Sequence, residues 1–214
     1  MKVEQFLVGK MVVFSYLVSC PETKEALIID PAGNEEELAD KIKQRGLKLK
    51  YIVNTHGHSD HICGNARMKA LTGALIVMHE ADNELFSSAL ARQMTREMGL
   101  EPSPPADITV KDGDKIVIGK VSLEVIHTPG HTPGGICLLG EGNLFSGDTL
   151  FVGGIGRTDL PGASHQQFMK SIRDKLLTLP DATIVWPGHD YGPVKSSTIE
   201  SEKKLNPWLR PPYM

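Results

Sequence analysis

Four ionisable side chains that directly follow an apolar strand constrain this chain more than any other feature of its sequence. The apolar residues Ile52 and Val53 lead into the segment 56–61, in which His56, His58, Asp60 and His61 are potential metal ligands. Residues two apart in extended backbone point to the same side, so the first two histidines can point together. Burying four such groups is costly unless a positive charge satisfies them, and a divalent cation does so directly. The segment therefore predicts a metal site at a strand end.

Three later segments repeat this pattern of an apolar strand, a turn rich in glycine or proline, and then a residue able to bind a metal. These residues are His131 after Pro129-Gly130, Asp148 after Ser146-Gly147, and His189 after Pro187-Gly188. Glycine and proline set the backbone of a turn, so the side chain that follows is aimed by the backbone rather than by its own rotamers. We therefore add these three residues to the predicted ligands.

The seven predicted ligands are more than one tetrahedral ion uses, and all of them are nitrogen or oxygen donors. They suit two divalent cations that share a carboxylate. The first cation is assigned to His56, His58 and His131, the second to Asp60, His61 and His189, and Asp148 bridges the two. Such a pair, ~3.5–4 Å apart, can hold a hydroxide and stabilise charge that develops on a substrate. The donors fit zinc, with iron and manganese as alternatives.

Composition limits the partners and the compartment. The chain has 23 Lys and Arg against 26 Asp and Glu, a formal net charge of −3. This balance argues against nucleic acid as a partner. No stretch approaches the ~18 apolar residues of a spanning helix, so no membrane association is expected. Three cysteines are too few and odd in number for a disulfide framework, which favours a reducing, cytoplasmic location.

The order of strands and helices predicts an α+β protein. Short strands alternate with helical segments at 34–45, 65–71, 80–98, 164–177 and 197–205, and hairpin-like turns make much of the strand pairing antiparallel. No linker or repeat divides the chain, so residues 1–214 are expected to form a single domain, as a monomer or a homodimer. Two sets of hairpins interrupted by helices suggest two sheets packed together with helices outside each sheet.

The four ligand-bearing segments, in this order, closely resemble the metallo-β-lactamase superfamily. The resemblance covers about residues 3 to 210 and implies a four-layer αββα sandwich, with the metals at one edge between the sheets. Gly156-Arg157-Thr158-Asp159 and Leu205-Asn206-Pro207 are similar to the hydroxyacylglutathione hydrolases (glyoxalase II) in a short form. Two departures stand out: the chain ends before the helical C-terminal domain of those enzymes, and Thr158-Asp159 replaces their aromatic pair.

The expected function is metal-dependent hydrolysis of a small thioester of the hydroxyacylglutathione type, by attack of a metal-bridging hydroxide. Thiolate leaves readily, since a thiol has a pKa of ~8.5. Asp60 and Asp148 are the expected catalytic residues, and Arg157 and Tyr191 the expected substrate contacts, although an ion pair between Arg157 and Asp159 is an equal alternative for the arginine. Residues 206–213 are a further candidate for the substrate groove, or a proline-rich tail packed on the surface.

Three alternative functions stay open. The Gly-Arg-Thr-Asp segment and His189-Asp190-Tyr191 also resemble the persulfide dioxygenases, in which one iron is held by residues matching His56, His131 and Asp148, a facial triad. Hydrolysis of β-lactams and a diiron electron-transfer module are the other two. Four further residues are expected to be structural or supporting rather than ligands: His79, His127, His165 and Cys63.

Overall fold

The computed structural model describes residues 1–210, and residues 211–214 lie outside it. The strands are Lys2–Val8 (β1), Val13–Ser19 (β2), Glu25–Ile29 (β3), Lys48–Val53 (β4), Leu75–His79 (β5), Ile108–Val110 (β6), Lys115–Ile118 (β7), Val121–His127 (β8), Ile136–Gly140 (β9), Asn143–Gly147 (β10), Leu150–Phe151 (β11), Gly154–Ile155 (β12), Ile184–Pro187 (β13) and Ser197–Thr198 (β14). The helices are Glu35–Gln44 (α1), Ser59–Ile62 (α2), Asn65–Thr72 (α3), Glu80–Phe86 (α4), Ala89–Glu97 (α5), His165–Ser171 (α6) and Ile199–Leu205 (α7), with a π-helical turn at Ile172–Leu176 and a 3₁₀ turn at Pro207–Leu209.

Within residues 1–210 the strands form two six-stranded sheets and a small two-stranded ribbon of β11 and β12. The first sheet has the order β1-β2-β3-β4-β5-β6 and the second β14-β13-β10-β9-β8-β7. The predicted hairpins β1–β2, β7–β8 and β9–β10 are present. Much of the strand pairing is antiparallel, as predicted, whereas the pairs β3–β4, β4–β5, β5–β6 and β10–β13 are parallel. Parallel neighbours need a crossover, and the helices between these strands provide it.

Apolar side chains fill three layers, which confirms the predicted αββα sandwich. Between the sheets, Tyr16 and Leu27 of the first pack with Leu123 and Phe145 of the second. The two outer layers are made by helices lying against the far face of each sheet. Leu38, Ile42 and Met68 of α1 and α3 pack on Ile28, Ile52 and Ile76, and Phe168, Ile172 and Ile199 pack on Cys137, Leu144 and Val185. Each sheet is thus buried on both faces.

The helices differ from the sequence prediction in several places. The four-residue α2 was not among the predicted helices, β14 takes up residues 197 and 198 of the predicted helix 197–205, and the predicted helix 164–177 continues from α6 as a π-helical turn. The predicted continuous helix 80–98 is interrupted between α4 and α5, where Ser88 caps α5 by accepting a hydrogen bond from the Ala91 amide at 3.3 Å. Serine side chains compete with helical hydrogen bonds and favour such N-caps over helix interiors. Among residues 1–210, no helix combines the length and the apolar character that crossing a bilayer requires.

Candidate metal centre

The predicted ligands converge because four strands end at the same edge of the sandwich. β4 of the first sheet leads into His56, and α2 follows it. In the second sheet, β8 and β10 are both antiparallel to β9, and β13 is parallel to β10, so the carboxyl ends of all three strands emerge together. His131, Asp148 and His189 follow these three ends. All seven predicted side chains therefore meet at one place between the sheets.

The first set of donors is His56, His58 and His131. Their ligand atoms lie within 4.8 Å of one another. The His58 Nδ1 and His131 Nε2 atoms are 2.9 Å apart, and His56 Nε2 is buried without a hydrogen-bond partner. Two ring nitrogens lie close together, and a third ring nitrogen beside them has no hydrogen-bond partner. A cation bound by all three nitrogens would satisfy them.

The second set is Asp60, His61 and His189, whose ligand atoms also lie within 4.8 Å of one another. The Nε2 atoms of the two histidines are 3.1 Å apart, and His189 Nε2 lies 3.5 Å from Asp60 Oδ2. Asp60 and His61 reach this place from α2, the single helical turn after the first histidine pair.

Asp148 lies between the two sets. Its Oδ1 is 3.4 Å from His61 Nε2 and has no hydrogen-bond partner. Its Oδ2 is 3.7 Å from His131 Nε2 and 3.5 Å from His189 Nε2. The backbone places the carboxylate there, because Gly147 before it has a φ of 48°, a conformation that favours glycine. The residues present fit a divalent metal site, since buried imidazoles and carboxylates with unsatisfied ligand atoms need a cation.

Backbone and carboxylate oxygens hold the outer nitrogens of three histidines and so aim the inner nitrogens at the site. His131 Nδ1 is 2.7 Å from the Arg157 carbonyl, and His189 Nδ1 is 3.1 Å from the Met11 carbonyl. His61 Nδ1 is 3.0 Å from Asp30 Oδ2. Partners of this kind set the tautomer and orientation of metal-binding histidines.

The sequence reasoning missed Asp30. This buried carboxylate accepts hydrogen bonds from the amide and hydroxyl of Thr55 at 2.8 and 2.6 Å, besides its contact with His61. It also lies close enough to His56 and His61 to form a donor group with them. Because its oxygens are already occupied, we assign it to orientation rather than to metal binding. Asp30 directly follows β3, so the strand-end pattern that located the seven ligands was present there too.

Asp82 was missed as well, and it joins the two loops that carry the first set. It is buried in the first turn of α4 and accepts hydrogen bonds from the Gly57 amide at 2.8 Å, the Thr132 hydroxyl at 2.7 Å and the Gly134 amide at 2.5 Å. Burial raises the pKa of this carboxyl, although the three donors act in the opposite direction. One carboxylate thus fixes the spacing between the His56–His58 loop and the His131 loop.

Replacing Asp82 with alanine is expected to destabilise the protein by about 3 kcal/mol, because three buried donors lose their acceptor. Urea denaturation of the metal-free protein measures this loss. Asp82→Asn keeps one acceptor oxygen and should lose about half as much. Equal stability of all three proteins would show that the two loops hold their spacing without Asp82.

His56 and His58 of the first set differ in protonation from His61 and His189 of the second set. Burial, then the neighbouring imidazoles, lower the pKa of His56 well below its ordinary value and that of His58 to about 4. Burial also disfavours the charged forms of His61 and His189, but Asp148 and the other nearby carboxylates outweigh it, raising their pKa values to about 8 and about 10. Without a cation, His56 and His58 are neutral at pH 7, whereas His61 and His189, whose Nε2 atoms face each other at 3.1 Å, hold at least one proton between them.

Cation binding at the second set is therefore expected to displace at least one proton at neutral pH. The raised pKa values of about 8 and about 10 favour the protonated histidines at lower pH, so the affinity of this set should rise with pH up to about 10. His56 and His58 release none. Calorimetric titration of the metal-free protein with Zn²⁺, in buffers of different ionisation enthalpy, counts the protons. Uptake of two cations with no proton release would contradict this account.

The predicted substrate contacts, Arg157 and Tyr191, line a groove beside Asp148. The Tyr191 ring stacks on His189 with centroids 4.7 Å apart. Arg157 donates two hydrogen bonds to Asp159, at 2.7 and 2.8 Å, so the ion pair foreseen as the alternative is present. Of residues 206–213, Trp208 lines the groove and 211–213 lie outside the described residues.

The four residues expected to be structural stay outside the two sets of donors. Cys63 is half-buried, and its sulfur contacts the backbone carbonyls of Ala32 and Asp60. His79 is buried, caps α4 and stacks on His127 with ring centroids 4.0 Å apart. His165 is exposed and contacts the Thr158 hydroxyl.

A family model described as the metallo-beta-lactamase superfamily matches residues 8–189. The chain belongs to the metallo-β-lactamase superfamily. The match includes all seven predicted ligands, from His56 to His189. Superfamily membership agrees with the sandwich fold and with a divalent metal site at the edge between the sheets.

Relatives within the superfamily carry different activities at similar identity. The human mitochondrial persulfide dioxygenase ETHE1 is 35% identical over 199 residues, covering 92% of this chain and 71% of that protein. The hydroxyacylglutathione hydrolase GloC of Haemophilus influenzae is 39% identical over 197 residues, 88% of this chain and 89% of that protein. A crystal structure of the B3 metallo-β-lactamase BLEG-1 has a TM-score of 0.87 at 34% identity, covering 97% of this chain and 99% of that one.

Proposed function

We propose that this protein is a binuclear metal-dependent hydrolase of a small thioester of the hydroxyacylglutathione type. One observation carries the proposal: Asp148 lies between two separate sets of three donors, with its carboxylate oxygens 3.4 to 3.7 Å from imidazole nitrogens of both. A single cation needs only one of these sets. Two sets that share a carboxylate suit a pair of cations.

In this proposal His56, His58 and His131 would hold one cation, Asp60, His61 and His189 would hold the other, and Asp148 would be available to both. Zinc is the first candidate for these nitrogen and oxygen donors, with iron and manganese as alternatives. When bound, two such cations supply an activated water and stabilise negative charge on a carbonyl oxygen.

Asp60 is proposed to orient the attacking water and to pass its proton to solvent. Burial raises the pKa of Asp60, but the hydrogen bond and the charge of His189 outweigh it and hold that pKa below its ordinary value. Asp60 is therefore an ionised carboxylate at neutral pH, which can accept a hydrogen bond from the attacking water. Its side chain is 18% exposed, which gives that proton a route to solvent.

The groove favours a leaving group that departs without being protonated by an acidic side chain. Among the described residues that line it, Tyr191 and Arg157 are the two ionisable side chains with a proton to give, because the indole N–H of Trp208 is not acidic and Asp148 is a carboxylate. Burial, then Asp148 and Asp60, raise the pKa of the Tyr191 phenol, and Arg157 is bonded to Asp159. Neither suits proton delivery at neutral pH. A thiolate, with a thiol pKa of ~8.5, needs little such help, which is the chemical reason for choosing a thioester over an amide.

A second candidate is oxidation of a persulfide at one iron. His56, His131 and Asp148 form a subset of two histidines and one carboxylate, the arrangement associated with oxygen activation by iron. The relative named as a persulfide dioxygenase, at 35% identity, favours considering this activity. The first candidate is preferred because the subset leaves His58, Asp60, His61 and His189 without a role.

Metal stoichiometry and activity, measured on the same anaerobically purified protein, test the choice. Two cations per chain with hydrolysis of S-lactoylglutathione are expected, and no oxygen uptake on glutathione persulfide. One iron per chain with rapid oxygen uptake would overturn the hydrolase in favour of the dioxygenase. Rapid cleavage of a chromogenic cephalosporin, without cleavage of the thioester, would overturn it in favour of β-lactam hydrolysis.

A further inference from the structure

The turn that carries His189 follows β13 of the second sheet, but β2 of the first sheet holds it in place. The Phe14 amide donates a hydrogen bond to the Gly188 carbonyl at 2.8 Å, and Val13 forms an isolated antiparallel bridge with His189. The outer nitrogen of His189 lies 3.1 Å from the Met11 carbonyl, just before β2. The position of this donor of the second set therefore depends on a strand of the other sheet.

A buried phenol adds a contact to this turn from the core. Tyr16 on β2 is 2% exposed, and its hydroxyl donates a hydrogen bond to the Pro187 carbonyl at 2.5 Å. Gln5 Nε2 donates to the same hydroxyl at 3.1 Å, so the proton of the hydroxyl is directed at Pro187. Burial raises the pKa of this phenol, so the hydroxyl keeps its proton. Because Pro187 lies two residues before His189, the phenol fixes the start of the turn.

Asp148 and Gly147 close the opposite side of the turn. The Gly188 amide donates to the Gly147 carbonyl at 2.8 Å, and a Cβ atom at position 188 would lie 2.3 Å from Asp148 Oδ1. The turn therefore lies between the Tyr16 hydroxyl on one side and the Asp148 carboxylate on the other. Loss of the hydroxyl allows the turn to move, and such a movement changes the distance of 3.5 Å between His189 Nε2 and Asp148 Oδ2.

The ring of Tyr16 is fixed by contacts that do not involve its hydroxyl. The rings of Phe145 and Trp186 pack edge-on against it, with centroids 5.2 and 5.9 Å away. Removing the hydroxyl alone therefore keeps this packing and isolates the contribution of the hydrogen bond. The first set of donors is held by Asp82 instead, which bonds both of its loops.

We propose that Tyr16 is a positioning residue for the second set of donors. Its hydroxyl, through the Pro187 carbonyl, sets the direction of His189 and so the affinity of that set for its cation. The inference rests on the proposed binuclear centre and adds a core residue that acts on one of the two cations. Losing an outer partner of a metal-binding histidine lowers metal affinity by roughly 10- to 100-fold, and the lower value is expected here because Tyr16 acts two residues away.

Tyr16→Phe tests this role in a titration of the metal-free protein with Zn²⁺ against a competing chelator. The dissociation constant that disappears in His189→Ala belongs to the second set. In Tyr16→Phe this constant is expected to rise about tenfold, and the constant of the first set to stay within about twofold of the wild-type value. Adding Tyr16→Phe to His189→Ala should leave the remaining constant unchanged, because the hydroxyl acts through His189.

Tyr51→Phe is the matched control. Tyr51 lies on β4 of the same sheet, half-buried against the same core, and its hydroxyl has no hydrogen-bond partner among residues 1–210. It should change neither constant. If Tyr16→Phe does not fold, Gln5→Leu gives the same test, because it removes the donor that directs the hydroxyl, and it should weaken the same cation by a smaller factor.

Equal weakening of both cations in Tyr16→Phe would overturn the positioning role, since the hydroxyl would then stabilise the sandwich as a whole. Unchanged constants would overturn it too, because the turn would hold His189 without the hydroxyl. The titration needs no turnover, so a selective loss at the second set would support the role of Tyr16 even if S-lactoylglutathione were not hydrolysed. A wild-type protein that binds a single cation would overturn the binuclear centre and this inference together.

Discussion

Replacing Asp148 with alanine is expected to lower kcat/KM for thioester hydrolysis by about three orders of magnitude or more. This carboxylate contacts donors of both sets, so its loss removes a ligand from each proposed cation and leaves His61, His131 and His189 with less compensating charge. His58→Ala is expected to have a comparable effect, because it takes one of the three donors of the first set. Steady-state kinetics, with metal content measured on the same samples, give the result.

The control for Asp148→Ala is Asp174→Asn, which changes a surface carboxylate paired with Lys170 and Arg173. It should keep both cations and full activity. Near-normal turnover of Asp148→Ala or His58→Ala, with normal metal content, would remove these residues from the proposed centre.

Replacing His189 or His61 with alanine is expected to reduce hydrolysis about a hundredfold or more and to leave one cation per chain. These histidines contribute to the second set only, so the first set of three donors stays complete. The readouts are metal stoichiometry, hydrolysis of S-lactoylglutathione and oxygen uptake on glutathione persulfide. Persulfide oxidation at the subset of His56, His131 and Asp148 has no need of the second set.

If these variants lose both thioester hydrolysis and the second cation, the result supports the binuclear hydrolase. Variants that retain one iron and oxidise glutathione persulfide at the wild-type rate would instead support the dioxygenase. His165→Ala is the matched control, because His165 is exposed and belongs to neither set. It should change neither the metal content nor the rate.

Much of the candidate site follows from local sequence patterns. Each of its four segments has an apolar strand that ends in a turn and then a donor, and a turn of glycine or proline aims the next side chain whatever the rest of the fold does. His131, Asp148 and His189 were each located in this way. The assignment of the seven donors to two sets was also predicted, because seven donors are more than one tetrahedral ion uses.

Local sequence patterns did not identify the residues whose role depends on partners that are distant along the chain. Asp82 lies 25 residues from Gly57 and 52 from Gly134 along the chain, so its three hydrogen bonds exist only after the two loops and α4 come together. Asp30 depends in the same way on Thr55 and His61. A carboxylate near a strand end is a visible signal, but which donors it meets is decided by packing.

Alternation of strands and helices, and the strand-end donors, were determined by the sequence alone, because both depend on side chains close together along the chain. The parallel pairing of β3 to β6 and the contact of Tyr16 with the His189 turn were decided only by the tertiary structure. The Tyr16 hydroxyl binds the Pro187 carbonyl, 171 residues away. Contacts of this kind depend on how whole elements pack, and no local pattern encodes them.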